Sequence, residues 1–231
     1  VFTLLYALAA AESGRRGARE ALLLCDRDSA AGQKFLQKVE AEYAHSEFEM
    51  YLRDEFPEIR PEQLRGVSLR KATNADAREV ARQNAIYFGE GDTADEPGEA
   101  GGDSAVSAAP NAPADAFAIL PEDEEKRGMT IYIAEQNGET VGKVHLETSA
   151  ADTGGIYGLG VLPERRGKGL GRAILLCAVA KLREAGIRGI MLQVEAKNAT
   201  ALTLYESCGF QRNSTMDYFR VIYSIPAFGQ L

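Results

Sequence analysis

Residues 129–148 read MTIYIAEQNGETVGKVHLET, two alternating runs of apolar and polar residues on either side of Asn137-Gly138. That dipeptide suits the left-handed backbone of a tight hairpin turn, so the two runs predict antiparallel neighbouring strands. Downstream the pattern changes. A strand over 156–162 leads into a glycine-rich turn and a helix over about 171–185, which Gly186 ends. GIMLQVEA is a further strand, 198–207 a helix, and 211–224 a last strand or strand pair. Regular alternation alone would predict a doubly wound parallel sheet. With a hairpin at its head, the series predicts a mixed α/β (α+β) sheet carrying helices.

The chain upstream divides at a charged, proline-containing stretch. Residues 1–52 hold a helix over 3–13, a short strand at 21–25, a helix that Ser29 caps and that runs to about Val39, and an alternating strand over 42–52. Residues 53–66 read as a linker. A strand over 67–73 and a helix capped by Asn74 or Asp76 then open the second domain, 67–231.

Charge is concentrated in one place. The chain carries 26 Lys and Arg against 34 Asp and Glu, net −8, but eleven of the acidic residues lie in 90–125, where there is no Lys or Arg. The same region includes GEAGGDSAVSAAPNAPADA, too poor in large apolar groups to offset its ordering entropy. A mobile acidic insert is expected over about 90–116. The acidic balance argues against binding nucleic-acid backbones. No stretch approaches the roughly 20 apolar residues of a membrane span. The apolar opening VFTLLYALAAAESG has neither a basic start nor an initiating Met, so the sequence is expected to begin inside a longer protein. Three cysteines (Cys25, Cys177 and Cys208), no CxxC and two histidines favour neither a disulfide framework nor a metal site. Reduced thiols in the cytoplasm are the simplest expectation. Cys177 and Cys208, with no histidine near them in sequence, fit small buried positions better than nucleophiles.

The segment Pro163-Glu-Arg-Arg-Gly-Lys-Gly-Leu-Gly-Arg172 follows a strand and opens a helix. Glycines here free the backbone to turn and to aim N–H groups at an anion, and the helix N-terminus adds partial positive charge. Arg166, Lys168 and Arg172 add fixed charge. This chemistry suits a pyrophosphate. A P-loop would need Ser or Thr after Lys168, where Gly169 stands. A GxGxxG fingerprint starting at Gly167 would need glycine at Arg172. What remains is RxxGxG, from Arg166 through Gly169 to Gly171.

Joined to its neighbours, this motif resembles the GCN5-related N-acetyltransferase (GNAT) superfamily. The likeness runs from GLGVLPERRGKGLGRAIL to LQVEAKNATALTLYESCGF, where Asn198, Ala201, Leu204, Tyr205, Gly209 and Phe210 match the pattern NxxAxxLYxxxGF. It covers about 67–224. The resemblance implies a mostly antiparallel central sheet with helices on both faces and a splayed parallel strand pair that receives acetyl-CoA, with no metal. It implies that backbone groups of Leu159, Gly160, Val161 and Leu162 hold the pantetheine arm, that Arg166, Gly167, Lys168, Gly169, Leu170, Gly171 and Arg172 hold the pyrophosphate, and that Asn198 helps position the cosubstrate. Transfer is then a direct attack by a primary amine of a small molecule or protein. A backbone N–H near Val161 would serve the oxyanion, and Tyr205 would protonate the leaving thiolate. Glu147 is the preferred base, with His145 and Glu195 as alternatives; His145 and Glu147 share one strand face. The reading from another class is a non-catalytic acyl-CoA-binding sensor or scaffold.

An offset of 169 residues sets the start of the chain against its end. Val1 meets Leu170, Gly17 meets Gly186, 21–25 meets 190–194, Ser29 meets Asn198, and Phe35 meets Leu204. Residues 1–52 are therefore expected to be the back half of a degenerate second GNAT-like copy, a tandem repeat in which Leu36 replaces Tyr205. Half a domain leaves a sheet edge to cover, so this unit is expected to lie against the complete domain or against a second chain, as in a homodimer.

Overall fold

The computed structural model describes residues 2–52, 59–88, 120–150 and 152–223. The acidic insert expected at 90–116 lies outside them. In chain order the elements are α1 (Phe2–Arg15), β1 (Glu20–Asp26), α2 (Ala30–Lys38), β2 (Glu42–Leu52), β3 (Val67–Lys71), α3 (Ala77–Phe88), α4 (Pro121–Lys126), β4 (Met129–Gln136), β5 (Glu139–Glu147), β6 (Thr153–Val161), α5 (Leu170–Glu184), β7 (Gly189–Glu195), α6 (Ala199–Ser207) and β8 (Phe210–Ile222). They form two compact units. The larger is Glu49–Asn213, and the smaller joins Val1–Phe48 to Ser214–Leu231, so the divisions fall inside β2 and β8. Among the described residues no helix is long and apolar enough to cross a membrane.

In the larger unit β3, β4, β5 and β6 pair antiparallel in series, and β7 joins β6 in parallel. The hairpin between β4 and β5 turns at Asn137 (φ 54°) and Gly138 (φ 78°), the left-handed pair that the dipeptide predicts. Helices cover both faces. A Cβ on Gly142 would point at Ile174 of α5, 3.0 Å from its Cδ1. The next residue, Lys143, points the other way, its ammonium 5.5 Å and 5.3 Å from the ring centres of Tyr87 and Phe88 on α3. Helix α5 is enclosed on most sides: Leu170, Ala173 through Val179, and Leu182 are buried. On the α3 side Val80 closes a cluster with Ala72, Ile131 and Ile133.

Two local features depart from the sequence reading. Before α3 the chain makes a 3-10 turn over Asn74–Asp76, and the residue that caps it is Thr73. Asp76 Oδ2 accepts from the Thr73 N–H at 2.8 Å, and Arg70 binds the same carboxylate at 2.9 and 3.0 Å. The acidic run Glu122–Glu125 is helical, in α4. Pro121 sits at its start, and its first-turn acidic groups favour the helix N-terminus.

In the smaller unit β1 pairs antiparallel with β8, Glu20 opposite Ile222 through Asp26 opposite Met216. The elements keep the offset of 169 seen in the sequence. Strand β1 at Glu20–Asp26 answers to β7 at Gly189–Glu195, and α2 at Ala30–Lys38 to α6 at Ala199–Ser207. Ser29 Oγ accepts from the Gly32 N–H at 3.2 Å, as Asn198 Oδ1 accepts from the Ala201 N–H at 3.0 Å. Gly17 and Gly186 share a left-handed φ, 87° and 83°, and Glu40 (φ 53°) stands where Gly209 (φ 91°) does.

The Arg70 guanidinium beside it, with the Thr73 N–H, lowers the Asp76 carboxyl to about 2. Asp76→Ala removes a cap as well as a half-exposed ion pair, and the expected loss at neutral pH is about 1 kcal/mol. Because the folded value lies below the unfolded one of about 3.9, the contribution is complete above that pH and lost as pH falls toward 2. Urea titrations of both proteins should therefore differ at pH 7 and converge near pH 2.

Candidate active site

The parallel ladder between β6 and β7 runs only from Thr153–Gly189 to Ile156–Leu192. Strand β6 continues to Val161 and β7 to Glu195, but the two pair no further with each other. The cause lies in β6. Against β5, Lys143 faces Gly160 while His145 faces Tyr157, so β6 spends one extra residue between the two pairs. Gly158, with φ 54°, occupies that bulge. A bulge bends its strand and sharpens the twist, and β6 parts from β7 where the bulge begins. The result is the splayed parallel pair, a wedge open at its C-terminal end.

At the end of β6 the Leu162 N–H donates to the Val141 carbonyl of β5 at 2.9 Å. Strand alternation then turns the N–H and C=O of Val161 away from β5. The Val161 carbonyl accepts from Arg166 Nε at 3.1 Å. A 3-10 turn over Pro163–Arg165 leads to Gly167 (φ 71°) and Gly169 (φ 73°), and α5 starts at Leu170. Both positive angles require glycine or strain. Gly171 differs: a Cβ there would meet Leu204 at 3.4 Å and Val161 at 3.7 Å, ordinary contacts. The protein's own packing does not demand glycine at 171, which fits close approach by a ligand.

The basic residues of the turn divide. Arg166 binds the Val161 carbonyl, and Lys168 Nζ the Glu164 carbonyl at 3.3 Å. Arg172 turns to α6 instead, donating to Ser207 Oγ at 2.6 Å, to the Ser207 carbonyl at 3.3 Å and to Cys208 Sγ at 3.2 Å. Arg65, from the stretch that reads as a linker, lies against the turn, its Nε 2.9 Å from where a Gly169 Cβ would sit. Sequence reasoning missed Arg65 because no motif ties it to a turn a hundred residues away.

The candidate catalytic groups do not form one cluster. Tyr205 is buried on α6, its ring 6.2 Å from that of Phe210, and α6 packs toward α5 through Leu204. Glu147 is half-buried on β5 and accepts from Ser149 Oγ at 2.6 Å. It shares the α3 face of the sheet with Lys143 and His145. By alternation from Met191, opposite Gly155 on that face, Glu195 projects there too, paired with Lys197 at 2.8 Å. Asn198 caps α6 with its Oδ1. Lys143, fully buried, is a second group that sequence reasoning passed over. The signal was present, since it stands two residues before His145 on an alternating strand. The three cysteines are unpaired and buried. Burial raises the Cys177 thiol to about 11 and also raises those of Cys25 and Cys208, which removes them as nucleophiles at neutral pH. Among the described residues no three His, Cys, Asp or Glu side chains gather as metal ligands.

Residues 103–210 match the model of the Acetyltransferase (GNAT) family. A mycothiol acetyltransferase of Thermobispora bispora is 46% identical over 87 residues, which cover 35% of this chain and 30% of that protein. The chain thus spans about a third of the length of such relatives. Among solved structures, a GCN5-related N-acetyltransferase from Sphaerobacter thermophilus has a TM-score of 0.62 at 18% identity, covering 89% of this chain and 61% of its own. A tandem GNAT protein from the clavulanic acid biosynthesis pathway has a TM-score of 0.63 at 13% identity, covering 95% and 69%. At those identities the structures speak for the fold alone. The family match assigns residues 103–210 to the Acetyltransferase (GNAT) family, and the chain shares the fold of solved GCN5-related N-acetyltransferases.

Proposed function

We propose that the chain binds acetyl-CoA in the wedge between β6 and β7 and transfers its acetyl group to a primary amine by direct attack. The observation that carries this reading is the early end of the β6–β7 ladder at Ile156–Leu192, which leaves an open strand edge leading to the glycine turn. The turn fits a pyrophosphate: two left-handed glycines, a third that packing does not require, and Arg166 and Lys168 beside a helix N-terminus. Arg172 would contribute from the first turn of α5, and Asn198 by shaping the start of α6. When bound, acetyl-CoA supplies a thioester carbonyl open to attack.

The chain's own groups supply the rest. The backbone along Leu159–Leu162 would pair with the pantetheine arm, and the Val161 N–H, turned away from β5, would donate to the oxyanion. As the C–N bond forms and the C–S bond breaks, Tyr205 gives its phenolic proton to the leaving sulfur. Glu147, directly or through water, takes the proton lost by the amine. The names of the similar proteins make a mycothiol-related amine the first acceptor to test. The matching element bounds and caps at an offset of 169 support residues 1–52 as a partial second copy, with buried Leu36 in the place of Tyr205. Unpaired cysteines are in keeping with a reducing, cytoplasmic setting.

Calorimetry should find one acetyl-CoA per chain, and the double variant Gly169→Val/Gly171→Leu should abolish the heat of binding. Two sites would contradict the degenerate copy, and none would contradict the wedge. Tyr205→Phe should lower turnover by about 10²–10⁴ with acetyl-CoA affinity unchanged, read as acetyl mass gained by the acceptor. Mass detection is needed because a thiol-bearing acceptor would obscure assays of released CoA. An unaltered rate would return Tyr205 to a packing role.

A further inference from the structure

Lys143 and His145 stand two residues apart on one face of β5, at the point where the wedge opens. The cross-strand partner of His145 is Tyr157, the residue after Ile156, where the ladder to β7 ends. The Lys143 ammonium lies 3.0 Å from the Gly158 carbonyl in the β6 bulge and 3.1 Å from His145 Nε2, beneath the rings of Tyr87 and Phe88. An ammonium only donates, and a neutral imidazole has one donor and one acceptor nitrogen. Donation from Lys143 therefore fills the Nε2 lone pair and leaves the ring proton on Nδ1. The half-buried ring has no other hydrogen-bond partner among the described residues.

We infer that Lys143 is a positioning residue that fixes His145 as a neutral hydrogen-bond donor to an oxygen of the bound acceptor, and not as the base. The inference rests on the acetyl-transfer reading and narrows the acceptors to amines bearing a carbonyl or carboxylate oxygen near the amino group. A base needs a free lone pair in reach of the proton it takes, and the one on Nε2 is used. Protonating the ring would set a second positive charge beside Lys143. Burial first, and that ammonium second, hold His145 well below its ordinary value. The other groups on this side do not reverse the balance. Glu147 accepts from Ser149, and the Tyr157 hydroxyl points to Met191 Sδ at 3.4 Å. Glu195 pairs with Lys197. From α3, the Tyr87 hydroxyl donates to Gln83 at 2.9 Å, and burial holds it far up its range, with Arg166, Arg82, Glu79 and Glu164 around it.

The test uses the whole chain with ¹⁵N-labelled histidine. There are two histidines, and His145→Gln assigns the signals of one. His145 is expected to be neutral and protonated on Nδ1 at pH 7, and to titrate well below the ordinary imidazole value. Lys143→Met should raise that titration and remove the preference for Nδ1–H. A wild-type ring that is charged near neutrality, or protonated on Nε2, overturns the inference even if the variant fails to fold. This readout needs no bound cosubstrate, so it stands apart from failure of the acetyl-transfer reading. Glycinamide and ethylamine, added separately in the presence of CoA, test the acceptor role. Glycinamide alone should shift the Nδ1 signal, and any other pattern overturns that role.

Discussion

A single extra residue in β6 governs the architecture around the site. In a regular parallel pair each strand satisfies its neighbour's backbone groups along its whole length. Here the bulge at Gly158 bends β6 after Ile156, and the pairing with β7 lapses. Strand edges left open in a sheet invite another extended chain. In this fold the opening sits directly before a turn whose glycines and helix N-terminus suit an anion. A long arm with a phosphate end matches both halves of that arrangement, and neither half would select it alone.

The bulge is held by side chains. Lys143 grips its carbonyl, and Tyr87 of α3 covers Gly160, where even a methyl group would collide with the ring at 2.2 Å. On the opposite face the approach of β5 to β6 is as close: a Cβ on Gly142 would fall 2.1 Å from the Gly160 carbonyl. The strand that borders the wedge is thus fixed by contacts from both faces of the sheet, while its edge toward β7 stays open. Burying an ammonium in such a place is costly unless it is hydrogen-bonded, and its bonds to the bulge carbonyl and to His145 meet that condition.

Much of this was legible in the sequence, and the pattern of success has a physical basis. The hairpin at Asn137-Gly138, the helix end at Gly186 and the cap at Ser29 are local, since each depends on residues within four positions of one another. The glycine turn was legible for the same reason. Groups that meet across the sheet were not. Arg65 reaches Gly169 from a segment with no motif, and Lys143 acquires its role only through Gly158 and α3. Helix α4 was missed because its acidic run reads as an extension of the low-complexity insert. The 3-10 turn that precedes α3 was not foreseen either, because its Thr73 cap is completed by Asp76, whose carboxylate Arg70 also binds.

Arg172 gives the site a further property. It leaves the first turn of α5 and fastens to Ser207, the last residue of the helix that bears Tyr205, and to Cys208 just after it. The two helices are consequently cross-linked at the point where one begins and the other ends. Any ligand that draws on the Arg172 guanidinium competes with the Ser207 carbonyl for it and loosens or tightens α6 in doing so. In the proposed site, occupancy at the anion end and the orientation of the Tyr205 phenol on a separate helix would then be linked variables, joined through one side chain.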